Sequence, residues 1–119
     1  MPIPSQVLAS GNSPMATQSI SGTGATGLVA VGTNLATALQ LSNSWNAITT
    51  SSSGTGVILP PTEAGAVVGI RNDSGQTIKV YPKSGSTVNA AASDVDLATA
   101  KTMLLFATSA TTWASITTA

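Results

Sequence analysis

The sequence predicts an all-β fold: about eight short antiparallel strands forming a small sandwich or a flattened barrel, behind an extended N-terminal arm. Two observations carry that expectation. Aliphatic residues recur at every second position in Val67 to Asn72, Thr77 to Tyr81 and Lys101 to Thr108, the period of strands. Between such runs stand clusters that end strands: Pro60-Pro61-Thr62-Glu63-Ala64-Gly65, Asp73-Ser74-Gly75-Gln76 and Ser84-Gly85-Ser86-Thr87. A length of 119 residues sets one domain, and an aromatic content of 3% leaves its interior to small and branched side chains.

Residues 1–18 read as the arm and 19–119 as the domain. Pro2 and Pro4, then Gly11-Asn12-Ser13-Pro14, favour extended backbone, with Ile3, Val7 and Leu8 as the side chains that anchor the arm to a partner. Gly22-Thr23-Gly24-Ala25-Thr26-Gly27 has the spacing of a dinucleotide fingerprint. The first acidic residue of the chain is Glu63, however, so the segment reads as a glycine-rich turn before a short strand at Leu28 to Val31. Leu35, Thr37, Leu39 and Leu41 alternate with Ala36, Ala38 and Gln40. Leu35, Ala38, Leu39 and Ser42 also share a helical face, but period two accounts for every leucine and a strand is expected. Trp45, Ala47 and Thr49 continue into a second short strand.

The centre of the chain, Gly54 to Asn89, predicts a three-stranded meander of Val57 to Leu59, Val67 to Asn72 and Thr77 to Tyr81. Pro60-Pro61 and Pro82 lack ladder donors and mark where strands leave the sheet. Ser84 to Thr87 is a turn and Val88 to Ser93 an irregular connection. Val95 and Leu97 alternate with Asp94 and Asp96. Two aspartates on a strand edge face solvent, because a calcium loop needs several more oxygen ligands and its glycine. Lys101 to Thr108 and Thr111 to Thr118 form a hairpin through Ser109-Ala110. The expected core is Val57, Leu59, Val68, Ile70, Ile78, Val80, Leu104 and Phe106. Met103 to Phe106 is apolar on both faces, which places that strand between two layers or at a subunit interface.

Only 7% of residues are charged and the formal net charge is zero, against about 25% charged in an ordinary soluble domain. Charged residues are depleted at the centres of protein interfaces, so the composition predicts a surface covered in an assembly. Cysteine and histidine are absent, which removes thiolate nucleophiles, the commonest general base and the commonest metal ligands. Glu63, Asp73, Asp94 and Asp96 are the only carboxylate side chains, and no spacing brings two of them to one cleft. The expectation is a protein that is not an enzyme and takes no cofactor, metal or small-molecule substrate. Arg71, Lys79, Lys83 and Lys101 are scattered, which argues against nucleic acid, and no apolar run reaches membrane-spanning length. The first ten residues carry neither the positive region nor the apolar core of a signal peptide. Trp45, Tyr81 and Trp113 are the candidate interface or ligand aromatics, although packing in the core or an interface is the commoner role of such residues.

Gly56-Val57, Leu59-Pro60, Gly65, Asn72, Ile78, Val80-Tyr81-Pro82, Gly85, Val88-Asn89, Phe106 and Trp113 follow an order that resembles a module of tailed-bacteriophage virion structural proteins. There a G-V-x-L-P strand leads through a glycine turn to V-x-N and V-Y-P strands and a late aromatic strand near a tryptophan. The resemblance spans about residues 37–116 and rests on order and spacing. Here Asn89 runs into Ala90-Ala91-Ala92, where a turn-like N-G is the expected pattern. The resemblance implies a virion component assembled in the host cytoplasm: a capsid decoration (cement) protein bound as a homotrimer to the major capsid protein, or else a receptor- or carbohydrate-binding module of a tail or fibre appendage.

Overall fold

The computed structural model describes residues 3–11, 13–16 and 22–118, without the side chain of Val7. The protein is nearly all-β, as expected, with ten strands among the described residues. They are β1 (Gly24–Val29), β2 (Leu39–Gln40), β3 (Trp45–Thr50), β4 (Gly56–Ile58), β5 (Val67–Asn72), β6 (Ile78–Tyr81), β7 (Thr87–Val88), β8 (Val95–Leu97), β9 (Lys101–Ala107) and β10 (Thr112–Thr117).

The strands form two sheets, ordered β1-β3-β5-β9-β10-β7 and β2-β4-β6-β8. From β1 to β6 the chain lays alternate strands in alternate sheets. Within each sheet those strands run parallel: β1 with β3 and β3 with β5 in one, β2 with β4 and β4 with β6 in the other. That is a short solenoid-like winding, and it corrects the expectation of a wholly antiparallel fold. Val57 to Leu59 and Thr77 to Tyr81 are not outer strands of a meander around Val67 to Asn72; they belong to the opposite sheet. The turns at 51–55 and 73–77 carry the chain across the core, because the aliphatics on both sides of each turn must meet from two layers. Antiparallel pairing begins where the winding ends, with β8 on β6 and β9 on β5. The expected hairpin is present as β9 and β10, with Trp113 opposite Ala107 and Ile116 opposite Leu104.

One core lies between the sheets. Six of the eight expected core residues, Val57, Leu59, Val68, Ile70, Ile78 and Val80, are buried in it together with Ile48, Val88, Leu97 and Trp113. Leu104 and Phe106 are not: β9 buries Met103, Leu105 and Ala107 and turns Leu104 and Phe106 outward. Both phases of this strand are apolar, so its sequence alone does not select the inner one. The register with β5 does, because Val68 and Ile70 stand opposite Leu105 and Met103. Asn72, fully buried, fastens the 73–77 turn and β8 to this core. Its Nδ2 donates to the Gln76 and Leu97 carbonyls (2.8 and 2.9 Å), and its Oδ1 accepts from the Ser74 hydroxyl (2.6 Å).

Other local expectations change as well. Pro4–Ala9 forms a short helix, α1, and a second helical stretch covers 14–16, so the described part of the arm is not extended. Pro4 and Pro14 stand at first helical positions, where a missing N–H costs nothing, and the Ser13 hydroxyl accepts the Ala16 N–H (3.1 Å) as a cap. The boundary expected at 18/19 lies outside the described residues. Gly24 to Gly27 is strand, not turn; β1 takes up its irregularity by shifting register against β3 on either side of Leu28. Leu35 to Thr37 form a turn in which the Asn34 side chain accepts the Ala36 and Thr37 N–H groups, leaving only Leu39–Gln40 as strand. The connection after Val88 is a tight turn: Asn89 and Ala90 have φ of 49° and 69°, and Val88 and Ala91 exchange both backbone hydrogen bonds (3.0 and 2.8 Å).

Candidate functional site

The strand pairing assembles a surface that sequence reasoning did not find as a unit. In the six-stranded sheet the outward residues stand in rows across the strands. One row runs Trp45, Gly69, Leu104, Ile116; beside it lie Val67, Phe106, Ala114 on one flank and Ala47, Arg71, Thr102 on the other. β5 and β9 are the middle strands, so Leu104 and Phe106 occupy the centre of the face. Ile116 is 64% exposed and Val67 38%. The signal for this face was already present in Met103 to Phe106, apolar on both sides. What was missing was which side is inner.

Trp45 shapes the face. Its half-buried ring lies over Gly69 in the neighbouring strand, where a Cβ would come within 2.3 Å of Trp45 Cε3. Glycine inside a strand marks such a close approach. Beside the ring, a shallow groove of about 350 Å³ crosses four strands, with Trp45, Ala47, Gly69, Arg71 and Thr102 in its lining. Arg71 is the only charged outward side chain of this sheet among the described residues. Its Nε donates to Asp73 (2.9 Å) and its Nη1 to the Ala100 carbonyl (3.1 Å).

The other two sequence-selected aromatics are elsewhere. Trp113 is 2% exposed, inside the core, and its indole N–H donates to Thr62 Oγ1 (3.0 Å), which in turn donates to the Ser86 hydroxyl (2.7 Å). Tyr81 is buried on the outer side of the four-stranded sheet, its ring against Gly56 and its hydroxyl donating to the Thr33 carbonyl (3.1 Å). Neither offers a ring face to a ligand, so only Trp45 does. In the arm, Ile3 and Leu8 are 54% and 46% exposed at α1. Val7 lies on the same helix, and its side chain is outside the described part. The structure brings none of these arm residues together with Trp45 in one described contact.

Asp94 and Asp96 flank a lysine. The Lys79 ammonium donates to Asp96 Oδ1 at 2.7 Å and lies 3.8 Å from Asp94 Oδ1. The hydrogen bond to Asp96, then its charge, raise the Lys79 pKa above the ordinary lysine value. No group of three or more acidic, histidine or cysteine side chains is placed to hold a metal ion among the described residues. No described helix is long and apolar enough to cross a membrane. Comparison with protein-family models, with curated proteins and with solved structures finds no match to this chain.

Proposed function

We propose that this protein is a structural component of a tailed-phage virion, most specifically a decoration protein that attaches to the major capsid protein as a homotrimer and stabilises the shell. The phage setting rests on the sequence resemblance. The observation that supports attachment is the apolar outer face of the six-stranded sheet, where Val67 and Ile116 are exposed and Trp45, Leu104 and Phe106 half-buried. A continuous row of Trp45, Leu104 and Ile116 with Val67 and Phe106 beside it is a contact surface, unlike singly scattered exposed residues. The exposed Ile3, just before α1, and Leu8 within it give the arm a second apolar surface for the shell. In this reading the two sheets act as layers of a flattened sandwich, one turned to neighbours and one to solvent. The role is non-enzymatic, located on the capsid surface, and uses no cofactor, nucleic acid, membrane or small molecule.

The test is to mix purified protein with expanded, undecorated phage shells and count bound copies. Saturation at one fixed stoichiometry, lost when residues 1–13 are deleted while the β domain stays folded, is the expected result. Normal shell occupancy by the truncated protein would remove the arm from the account, and no binding by the intact chain would remove the shell. Trp45 supports one further reading, a carbohydrate-binding module of a tail appendage. Its half-exposed ring borders a groove that Arg71 and Thr102 also line, an arrangement that suits a stacked sugar ring. Glycan binding that disappears in Trp45→Ala without unfolding would favour that reading.

A further inference from the structure

We propose that the groove beside Trp45 holds one ring of a neutral saccharide, with the Arg71–Asp73 pair and Thr102 bonding to its hydroxyl groups. This rests on the carbohydrate reading above, in which this end of the sheet meets a glycan rather than the shell. It names the class of sugar and the groups that hold it.

The groups that line the groove are held in place by their own chain. Trp45 is half-buried, and the six-membered part of its indole lies against Gly69 in the neighbouring strand, where a Cβ would come within 2.3 Å of Cε3. A Cβ at Gly22 would stand 3.3 Å from Trp45 Nε1. Two glycines thus let backbone close on the ring and fix it. The indole N–H has no partner among the described residues and is free to donate. Arg71 is fixed as firmly. Its Nε donates to Asp73 Oδ1 (2.9 Å) and its Nη1 to the Ala100 carbonyl (3.1 Å) and to Thr102 Oγ1 (3.3 Å), which leaves Nη2 without a partner among the described residues. A donor already held in place loses little freedom when it binds.

Spacing and size suit one ring. Trp45 stands opposite Gly69 and Ala47 opposite Arg71, so Arg71 is one strand and two residues from Trp45, about 8 Å between backbone positions at ~4.8 Å between strands and ~3.3 Å per residue. A ring resting on the indole is within reach of the guanidinium. The groove volume of about 350 Å³ lies at the lower end of the roughly 300–1,000 Å³ of small-molecule sites. Ala25, Ala47 and Gly69 in its lining add apolar surface for the C–H face of a sugar.

Charge selects the class. Asp73 makes the Arg71 pair neutral overall, and the sheet carries no other outward charge among the described residues. A uronate or a phosphate gains from the guanidinium but meets the Asp73 carboxylate as well, and a nucleic acid needs several cations. A neutral sugar meets no such repulsion. Its hydroxyls both donate and accept, and they find Arg71 Nη2 as donor, the Asp73 carboxylate as acceptor and the Thr102 hydroxyl as either.

Titration of the full chain in a Trp113→Phe background, read by Trp45 emission, tests the proposal, with circular dichroism to verify folding. The probes are neutral oligosaccharides of glucose, galactose and mannose and, in parallel, oligosaccharides of uronic acids. A saturable change with at least one neutral series, the same at low and high salt, is the expected result. By calorimetry, Trp45→Ala is expected to abolish that binding. Arg71→Lys, which keeps the charge but loses the fork, is expected to weaken it roughly tenfold, as for one charge-assisted hydrogen bond. Lys79→Glu on the other sheet is expected to leave it unchanged. If Trp45→Ala does not fold, Arg71→Lys, at an exposed side chain, carries the test. Salt-sensitive binding of uronates alone would overturn this inference and leave the carbohydrate reading standing. No binding to any of these sugars would remove both. Binding that survives Trp45→Ala and Arg71→Lys would place the sugar outside this groove and overturn the inference.

Discussion

The outer faces of the two sheets solve the same local problem and finish it differently. Each carries an aromatic ring over a glycine in a neighbouring strand, Trp45 over Gly69 and Tyr81 over Gly56. On the four-stranded sheet the chain completes the cover itself. The Tyr81 hydroxyl reaches the Thr33 carbonyl, Gln40 donates to the Leu41 carbonyl and accepts from Lys83, and Lys79 and Asp96 pair above β6 and β8. On the six-stranded sheet Leu104 and Phe106 are half-buried and Ile116 is exposed. The difference teaches that burial of an outward residue is set by the chain packed against it rather than by its own hydropathy. Tyr81 is buried with its ring against Gly56 and its hydroxyl satisfied by the Thr33 carbonyl; Ile116 is exposed although it is more apolar.

The contrast breaks most visibly along β9. Leu105→Ala empties a core site and is expected to destabilise by about 2–5 kcal/mol, whereas Leu104→Ala, one residue away on the outer face, is expected to cost under about 1 kcal/mol in dilute solution. Urea denaturation of the two variants reads the difference, and equal losses would restore the core originally expected from the sequence. The glycine pair gives the next largest effect. A Cβ at Gly56 meets the Lys79 backbone carbonyl at 2.5 Å, which cannot move away without disturbing the β4–β6 ladder; at Gly69 it meets only the Trp45 ring. Gly56→Ala is therefore expected to cost about 1–3 kcal/mol and Gly69→Ala less. In a double-mutant cycle, Trp45→Ala should relieve the Gly69→Ala loss; relief at Gly56 by the same change would contradict the geometry.

A gain is expected at Ala90. It holds φ of 69° in the turn after β7, a conformation that costs an L-residue with a Cβ roughly 1 kcal/mol or more and costs glycine little. Ala90→Gly should raise the urea midpoint with an unchanged slope. The smallest effect belongs to the exposed Lys79–Asp96 pair. Because the folded-state pKa of Lys79 is raised, its contribution is present throughout the range below the ordinary lysine value and is lost as pH rises through the raised one. Lys79→Met is expected to flatten the alkaline fall of the melting temperature and to change it little at neutral pH, measured by thermal unfolding across pH.

The sequence was most legible where local chemistry sufficed. Val57, Val68, Ile70, Ile78 and Val80 alternate and are buried, Pro60 and Pro82 follow strand ends, and Ser109-Ala110 closes a hairpin. Sheet membership was not legible. Alternation points a side chain toward a core without saying from which layer, so Val57 and Val80 look the same as neighbours in a meander or as stacked residues of a parallel pair. The parallel register, Val57 beside Val80 and Trp45 beside Gly69, joins positions more than twenty residues apart in segments whose turns differ in length, which hides the repeat. The candidate face was half legible for the same reason. Leu104 and Phe106 announced a strand apolar on both sides, but Trp45 and Ile116 join them only through pairing. The arm was misread because Pro4 and Pro14 serve as helix starts as readily as they extend a chain.

The most direct test of the account is the emission of Trp45 in a Trp113→Phe background, followed from dilute to concentrated protein with acrylamide as a quencher. Trp45 and Trp113 are the only tryptophans, so the variant isolates the outer face. A shift to shorter wavelength and loss of quenching as concentration rises, both abolished by Leu104→Lys, is the result predicted for an outer face that becomes covered when the chain assembles. Emission and quenching that stay constant at every concentration, with the fold intact, would show that this face remains in water and would contradict the claim.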